Sequence, residues 1–275
     1  MDAHLLPGGA SGAGAPPGRG PTSLEFGELR MDGPNAFDPL RPGIRSQLVQ
    51  QLGLRNSCTV EEMQGFKGGL NEGVWYITDV GQSATDGRRD LVLKLVQGQR
   101  NNHGMPTEAE NFQRLSTEHP AIGSDQAIAF PIKILSVLNA GGAKVYDLIV
   151  MRRLPGERMA ELIAHKWYGN QGPKLMAIFE RIGSTLGQFH ARYGGVQHGD
   201  FQPSNVFYHE QRDEVTMVDM GGMGVPTMDN DVAHFVQALN LLAEAYGGQL
   251  ASEGILRFER GYNTTAPREL RIPGR

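Results

Sequence analysis

The sequence predicts an α+β chain in two lobes: a small antiparallel β lobe carrying one helix, then a mainly helical lobe. Two patterns and a break between them carry that prediction. Between Met63 and Met151 the apolar residues alternate, or run in short β-branched blocks, with glycine and polar turns between them. From Leu175 onward they recur at helical spacing. Leu154-Pro155-Gly156 lies between the two regimes and reads as a hinge. The predicted division is a disordered or irregular extension over 1–43, a first lobe over 44–153 and a second over 154–275.

Each element follows in order. Met1 to Pro21 is rich in Gly, Ala and Pro and has no period that could bury a face. It also lacks the basic start and apolar segment of a secretory signal. Pro34, Pro39 and Pro42 prolong the irregular lead-in, so folding is expected to begin near Ile44. Ile44, Leu48 and Leu52 then share one helical face, stopped near Gly53. Met63 to Val80 reads as two strands around the turn Gly68-Gly69-Leu70-Asn71-Glu72-Gly73, and Leu91 to Val96 as a compact buried strand. Pro106-Thr107-Glu108 opens a helix through Leu115, and Ile128 to Leu138 pairs with Lys144 to Met151 around Asn139 to Gly142.

Past the hinge, Leu175, Ile178, Phe179, Ile182, Leu186 and Phe189 line one helix face, ended by His190, which reads as a packed terminal histidine. Val206 to Tyr208 and Val215 to Val218 form a short hairpin. A final helix is expected from Asp231 to Tyr246, with Val232, Phe235, Val236, Leu239 and Leu242 inward.

Composition narrows the classes of function. With 275 residues the chain can bury a proper core, and a net charge of −4 offers no basic field for nucleic acid or an anionic membrane. Cys58 is the single cysteine, which excludes an intrachain disulfide and favours a reducing, cytoplasmic setting. Nothing approaches the roughly 18 consecutive apolar residues of a transmembrane helix.

The chemistry is concentrated between His198 and Gly221. Asp200, Asn205 and Asp219 stand in the order D-x4-N, apolar strand, D-x-G. Singly, each would read as a turn or cap residue. As an ordered set they suit phosphoryl transfer from ATP. Asp200 would take the proton of an attacking hydroxyl, and Asn205 and Asp219 would hold Mg²⁺ against the phosphates. Lys94 adds a cation in the middle of a buried strand, which is costly unless it meets anions. ATP phosphates and a helix glutamate would supply them. Of Glu108 and Glu110, Glu110 is the expected partner, because Phe112 and Leu115 follow it on the core side. Backbone amides from Gly68 and Gly69 to Gly73 could cover phosphates, although a plain hairpin turn has the same composition.

Together these residues resemble the protein-kinase-like superfamily, and within it the aminoglycoside phosphotransferase and choline/ethanolamine kinase branch, over about residues 60 to 245. Gly68-Gly69-Leu70 looks like that branch's glycine loop, and His198-Gly199-Asp200 like its HGD. Leu154-Pro155-Gly156-Glu157 is similar to its post-hinge segment, and Asp231-Val232-Ala233 to the acidic start of its last core helix. The resemblance implies that adenine lies against Met151, Arg152, Arg153 and Leu154. It also implies that Gln202 stands where protein kinases carry a phosphate-contacting lysine. Two departures bear on the acceptor: the short span from Pro155 to Gln197 leaves little room for a substrate lid, and that from Asp219 to Asp231 leaves none for a long activation loop. The expected activity is transfer of the γ-phosphoryl of ATP to a hydroxyl of a small molecule. A compact protein kinase and a nucleotide-binding module without catalysis are the alternatives.

Overall fold

The computed structural model describes residues 23–33, 37–63, 71–80, 88–100, 104–168, 171–246 and 248–273. The chain is an α+β protein of two lobes. The first lobe is a six-stranded sheet built from β1 (Glu25–Arg30), β2 (Thr59–Glu62), β3 (Asn71–Val80), β4 (Arg88–Gln97), β5 (Lys133–Leu138) and β6 (Lys144–Arg152). Their spatial order is β1-β5-β6-β4-β3-β2, antiparallel throughout except that β1 runs parallel to β5.

Alternation along β4 assigns the two faces of the sheet. Leu91, Leu93 and Leu95, with Trp75 and Ile77 of β3, pack under Ile44, Leu48 and Leu52 of helix α1 (Pro42–Leu52). Val96, with Ile134 and Ile149 of the neighbouring strands, packs against Phe112 and Leu115 of helix α2 (Glu108–Glu118), in the core that continues into the second lobe. Lys94 falls in the Val96 register, so it is directed between the lobes.

The fold begins earlier than expected. Residues 25–30 fall within the expected extension, yet they form β1, zipped in register along β5 with Leu29 buried. Little in EFGELR alternates, and Phe26 is exposed. The strand is fixed instead by its backbone. Gln47 of α1 accepts from the Arg30 amide (2.8 Å) and donates to the Arg30 carbonyl (2.9 Å), which closes the outer edge. Smaller shifts elsewhere have similar causes. The strand expected from Ile128 starts at Lys133, because residues 127–129 pair with Met217 of the second lobe instead.

The second lobe holds helices α3 (Met159–Tyr168), α4 (Gly172–Arg192), α5 (Asp231–Tyr246) and α6 (Gly248–Thr265), with a small sheet of β7 (Glu157–Arg158), β8 (Val206–His209) and β9 (Glu214–Met217). Helix α5 has the expected bounds but is not the last, since α6 follows it. Leu250, Ile255, Phe258 and Tyr262 of α6 are buried at helical spacing, a stripe that Gly254 and Gly261 mask in the sequence. Those glycines reflect proximity between helices. A Cβ at Gly261 would lie 1.9 Å from the Glu180 carbonyl oxygen of α4, and one at Gly183 of α4 would lie 2.0 Å from that of Phe258. The two helices therefore cross backbone to backbone, which draws Tyr262 in toward the end of α4. Among the described residues no helix is long and apolar enough to cross a membrane.

Candidate active site

The loop between α4 and β8 carries Asp200, and its shape depends on glycine. Gly199 has φ +94°, and a Cβ there would stand 2.7 Å from the Gly222 carbonyl oxygen. This close approach brings the Asp200 loop against the loop that follows β9. Phe201 drops into the core beside Phe235, with ring centroids 5.2 Å apart, and so anchors Asp200 from below. Above, Gln202 Nε2 donates to both carboxylate oxygens (3.0 and 3.1 Å), and Asn205 Nδ2 donates to Oδ2 (2.8 Å) and to the Asp200 carbonyl (2.9 Å). The carboxylate is oriented by two amides.

Asn205 and Asp219 meet through the β8–β9 hairpin. Val206 pairs with Met217, and the Val218 amide donates to the Asn205 carbonyl at 2.9 Å. Asp219 is thus one residue beyond the position opposite Asn205, in the left-handed region (φ +60°) that aspartate tolerates better than most side chains. Lys94 Nζ then reaches across the lobes to Asp219 Oδ1 at 2.6 Å.

Its second partner is Glu108 Oε1 at 2.9 Å, which corrects the expectation of Glu110. Thr107 caps α2. Its hydroxyl accepts from the Glu110 amide (3.2 Å), while the Glu110 carboxylate turns back to accept from the Thr107 amide (2.8 Å) and from Arg100. That capping box spends Glu110 at the helix end, and the Thr107 amide above all holds its carboxyl below the usual range. Two signals in the sequence identify the right residue. Thr107-x-x-Glu110 is a capping-box pattern, and Glu108 shares the stripe of Asn111, Phe112 and Leu115 at i+3, i+4 and i+7. Gly221 leaves the space: a Cβ there would sit 2.3 Å from Glu108 Cγ.

The electrostatics follow from burial. Desolvation alone would push the Lys94 ammonium down, but Glu108 and then Asp219 outweigh it and hold it above the ordinary lysine value. Burial pushes the Glu108 carboxyl up, with Lys94 drawing it back and Asp219 pushing it further. Helix α2 is also tied to the Asp219 loop. Asn111 Nδ2 donates to the carbonyls of Gly221 (2.7 Å) and Met223 (3.1 Å), and Arg114 Nη2 donates to the latter at 2.9 Å.

Beneath the loop lies Asp231, which is 1% exposed at the start of α5. Its carboxylate accepts from the amides of His198 (2.6 Å) and Gly199 (2.9 Å) and from His190 Nε2 (2.9 Å). Burial would raise its pKa, but the donors, His190 first, outweigh burial and hold it below the ordinary carboxylate range. A depressed folded-state value means that this stability is present above the unfolded value of about 4 and is lost as pH falls through the folded one. Asp231→Asn is therefore expected to show a flatter decline of urea midpoint than wild type between about pH 5 and pH 3. His198 is pushed down by burial and stays neutral, with its Nε2 at 2.9 Å from the Val218 carbonyl.

The hinge residues do not act as one group. Met151 pairs with Val92, which pairs with Tyr76, so Met151 shares the Lys94 face. Arg152 pairs with Leu91, on the α1 face. Arg153 stacks its guanidinium 4.1 Å from the Tyr76 ring centroid while its amide donates to the Asp90 carbonyl. Leu154 follows, half-buried. Gly73 follows an irregularity in register near the start of β3, where a Cβ would meet the Trp75 ring at 2.4 Å. Gly68 and Gly69 lie outside the described residues.

A divalent cation fits this donor set only with help. Asn205 points its amide nitrogen at Asp200, which leaves Oδ1 for a cation, and Asp219 has Oδ2 beyond the oxygen that Lys94 holds. Among the described residues no group of three or more His, Cys, Asp or Glu could hold a metal ion. One amide and one carboxylate make a lean set, of the kind Mg²⁺ uses when phosphate oxygens complete its shell.

Residues 121–222 match the model of the lipopolysaccharide kinase (Kdo/WaaP) family. The matched stretch contains the hinge, Asp200, Gln202, Asn205 and Asp219, and not Lys94 or Glu108. That family belongs to the protein-kinase-like superfamily, which agrees with the expectation at that level and does not extend to the aminoglycoside and choline kinase branch. No curated protein matches the chain.

Proposed function

We propose that this chain, a kinase of the protein-kinase-like superfamily that acts on a hydroxyl acceptor, takes Mg-ATP as phosphoryl donor and a saccharide hydroxyl as acceptor. The observation that carries the reading is the Asp200 carboxylate, held by Gln202 and Asn205 in the loop that packs against the loop of the Lys94–Glu108–Asp219 group. ATP supplies the γ-phosphoryl group, whose bond to the β–γ bridging oxygen breaks as the acceptor oxygen bonds to phosphorus. Asp200 accepts the proton of that hydroxyl. Lys94 offsets phosphate charge, and Asn205 with Asp219 would hold the cation. Gln202 orients Asp200, a different task from the phosphate contact implied by the resemblance.

A saccharide acceptor is supported by the name of the matched family, lipopolysaccharide kinase, and by the short segment after Asp219. That segment is bound by Asn111 and Arg114 and has no length to seat a peptide as a long activation loop does. The test is transfer of labelled phosphate from Mg-ATP to a panel of free and lipid-linked acidic saccharides, aminoglycosides, choline and proteins. Label is expected in a saccharide. Label in protein alone would select the compact protein kinase. ATP-dependent thermal stabilisation with no ATP consumed would select a non-catalytic module.

A further inference from the structure

Helix α6 has no part in the reaction described above, yet it reaches the Asp200 loop through a chain of buried polar groups. Tyr262 Oη lies 2.8 Å from His190 Nδ1, and His190 Nε2 lies 2.9 Å from Asp231 Oδ2. Asp231 in turn holds the amides of His198 and Gly199, and the Asp200 amide lies 3.3 Å from His198 Nδ1. Tyr262, His190 and Asp231 are 2%, 1% and 1% exposed, so water does not substitute for any of them.

We propose that Tyr262 is a positioning residue for Asp200, acting through the orientation of the His190 ring. The proposal rests on the phosphotransfer reading above. Its physical basis is that a neutral imidazole has one donor and one acceptor nitrogen. The Asp231 carboxylate only accepts, so Nε2 carries the ring proton, and the Tyr262 hydroxyl donates to Nδ1 and fixes the plane of the ring. Without that hydroxyl, Nδ1 is a buried acceptor with no donor, and the ring is held at Nε2 alone. The ring then turns, and its Nε2–H leaves the line to Asp231 Oδ2. That weakens one of the three donors that fix the carboxylate. Asp231 then loosens its hold on His198 and Gly199, and the Asp200 carboxylate loses its registration. Misplacing a base by a fraction of an ångström affects the attack and leaves nucleotide binding intact, because Lys94 and the Asp219 loop are held from α2. The glycine-notched crossing of α4 and α6 is what brings the phenol within range.

The experiment compares wild type with Tyr262→Phe, which deletes only the hydroxyl. Tyr193→Phe serves as the control. Its hydroxyl is also partly buried, near the same end of α4, but bonds Asp125 at 2.9 Å, outside this chain of groups. Side-chain ¹⁵N NMR of the nucleotide-free protein is expected to show His190 as the Nε2–H tautomer in wild type and in Tyr193→Phe. In Tyr262→Phe the Nε2–H form persists, but its proton is expected to exchange about tenfold faster with solvent. The amides of His198 and Gly199 are expected to exchange about tenfold faster in Tyr262→Phe. Turnover of Mg-ATP should lose about tenfold in kcat with KM for ATP within about twofold.

A Tyr262→Phe protein that melts at a lower temperature but keeps wild-type exchange of the His190 Nε2–H, wild-type amide exchange and wild-type kcat overturns the proposal and leaves the phenol as packing. If wild type and Asp200→Ala turn over ATP alike, the phosphotransfer reading is what fails. The ring and amide exchange measurements, made without nucleotide, then decide the positioning of the loop on their own.

Discussion

Asp200→Asn is expected to reduce phosphoryl transfer by about 10²–10⁴-fold while leaving the fold and the affinity for nucleotide near wild type. The substitution keeps the shape of the side chain and an oxygen that can still accept from Gln202 and Asn205, which surround the carboxylate at 2.8 to 3.1 Å. It removes the negative charge, and with it the ability to take a proton from the acceptor hydroxyl. A fall in kcat of about 10³-fold corresponds to about 4 kcal/mol of lost transition-state stabilisation. The measurement is steady-state transfer to the acceptor found in the panel, with ATP affinity followed by thermal shift. An Asp200→Asn protein with wild-type kcat would show that this carboxylate is not the base, whatever the motif resembles.

The second large effect is expected at the ion pair between the lobes. Lys94→Met removes the cation that neutralises Glu108 and, on the proposed reading, offsets phosphate charge; it is expected to abolish measurable transfer. It also leaves the Glu108 carboxylate buried beside Asp219 without its counter-charge, a situation that typically costs about 3–5 kcal/mol. The sign with pH separates the variant from wild type. In wild type the raised lysine value makes the Lys94 contribution present below the ordinary lysine pKa, lost as pH rises through the raised one. In Lys94→Met the stranded glutamate is relieved by protonation, so stability is expected to recover as pH is lowered. Urea midpoints between about pH 8 and pH 5 read this directly. Glu108→Gln should share the loss of transfer. Glu110→Gln, whose side chain caps α2 and meets Arg100, should lower stability by about 1 kcal/mol and leave transfer intact. Equal losses in the two glutamine variants would return Glu110 to the site.

Wherever local pattern decides structure, the sequence was sufficient. The strand holding Lys94, the helix over Asp231–Tyr246 and the hairpin carrying Asn205 and Asp219 depend on alternation, period and turn residues, all of which are properties of neighbours along the chain. The nearness of Asn205 and Asp219 follows from that hairpin, whereas Asp200 is placed by distant partners, Gly222 against Gly199 and Asp231 under the loop. Features set by distant partners were not legible. β1 joins the sheet because β5 and the glutamines of α1 satisfy its backbone, with no apolar alternation of its own. α6 hides its stripe behind glycines that are explained only by the backbone of α4 lying against them.

The choice between Glu108 and Glu110 shows the boundary most clearly. Both carboxylates stand at the start of one helix, and each is a plausible partner for a buried lysine. The sequence by itself determined that a lysine stands in a buried strand, two glutamates at the start of one helix, and an ordered Asp–Asn–Asp set after the hinge. Only the tertiary structure decided which glutamate faces inward. The Thr107 cap turns Glu110 back on the helix end, while Gly221, distant along the chain, provides the space that Glu108 fills beside Lys94. Local spacing sets which groups exist on a face; the burial that sets their charge and their partners is a sum over contacts from the whole chain.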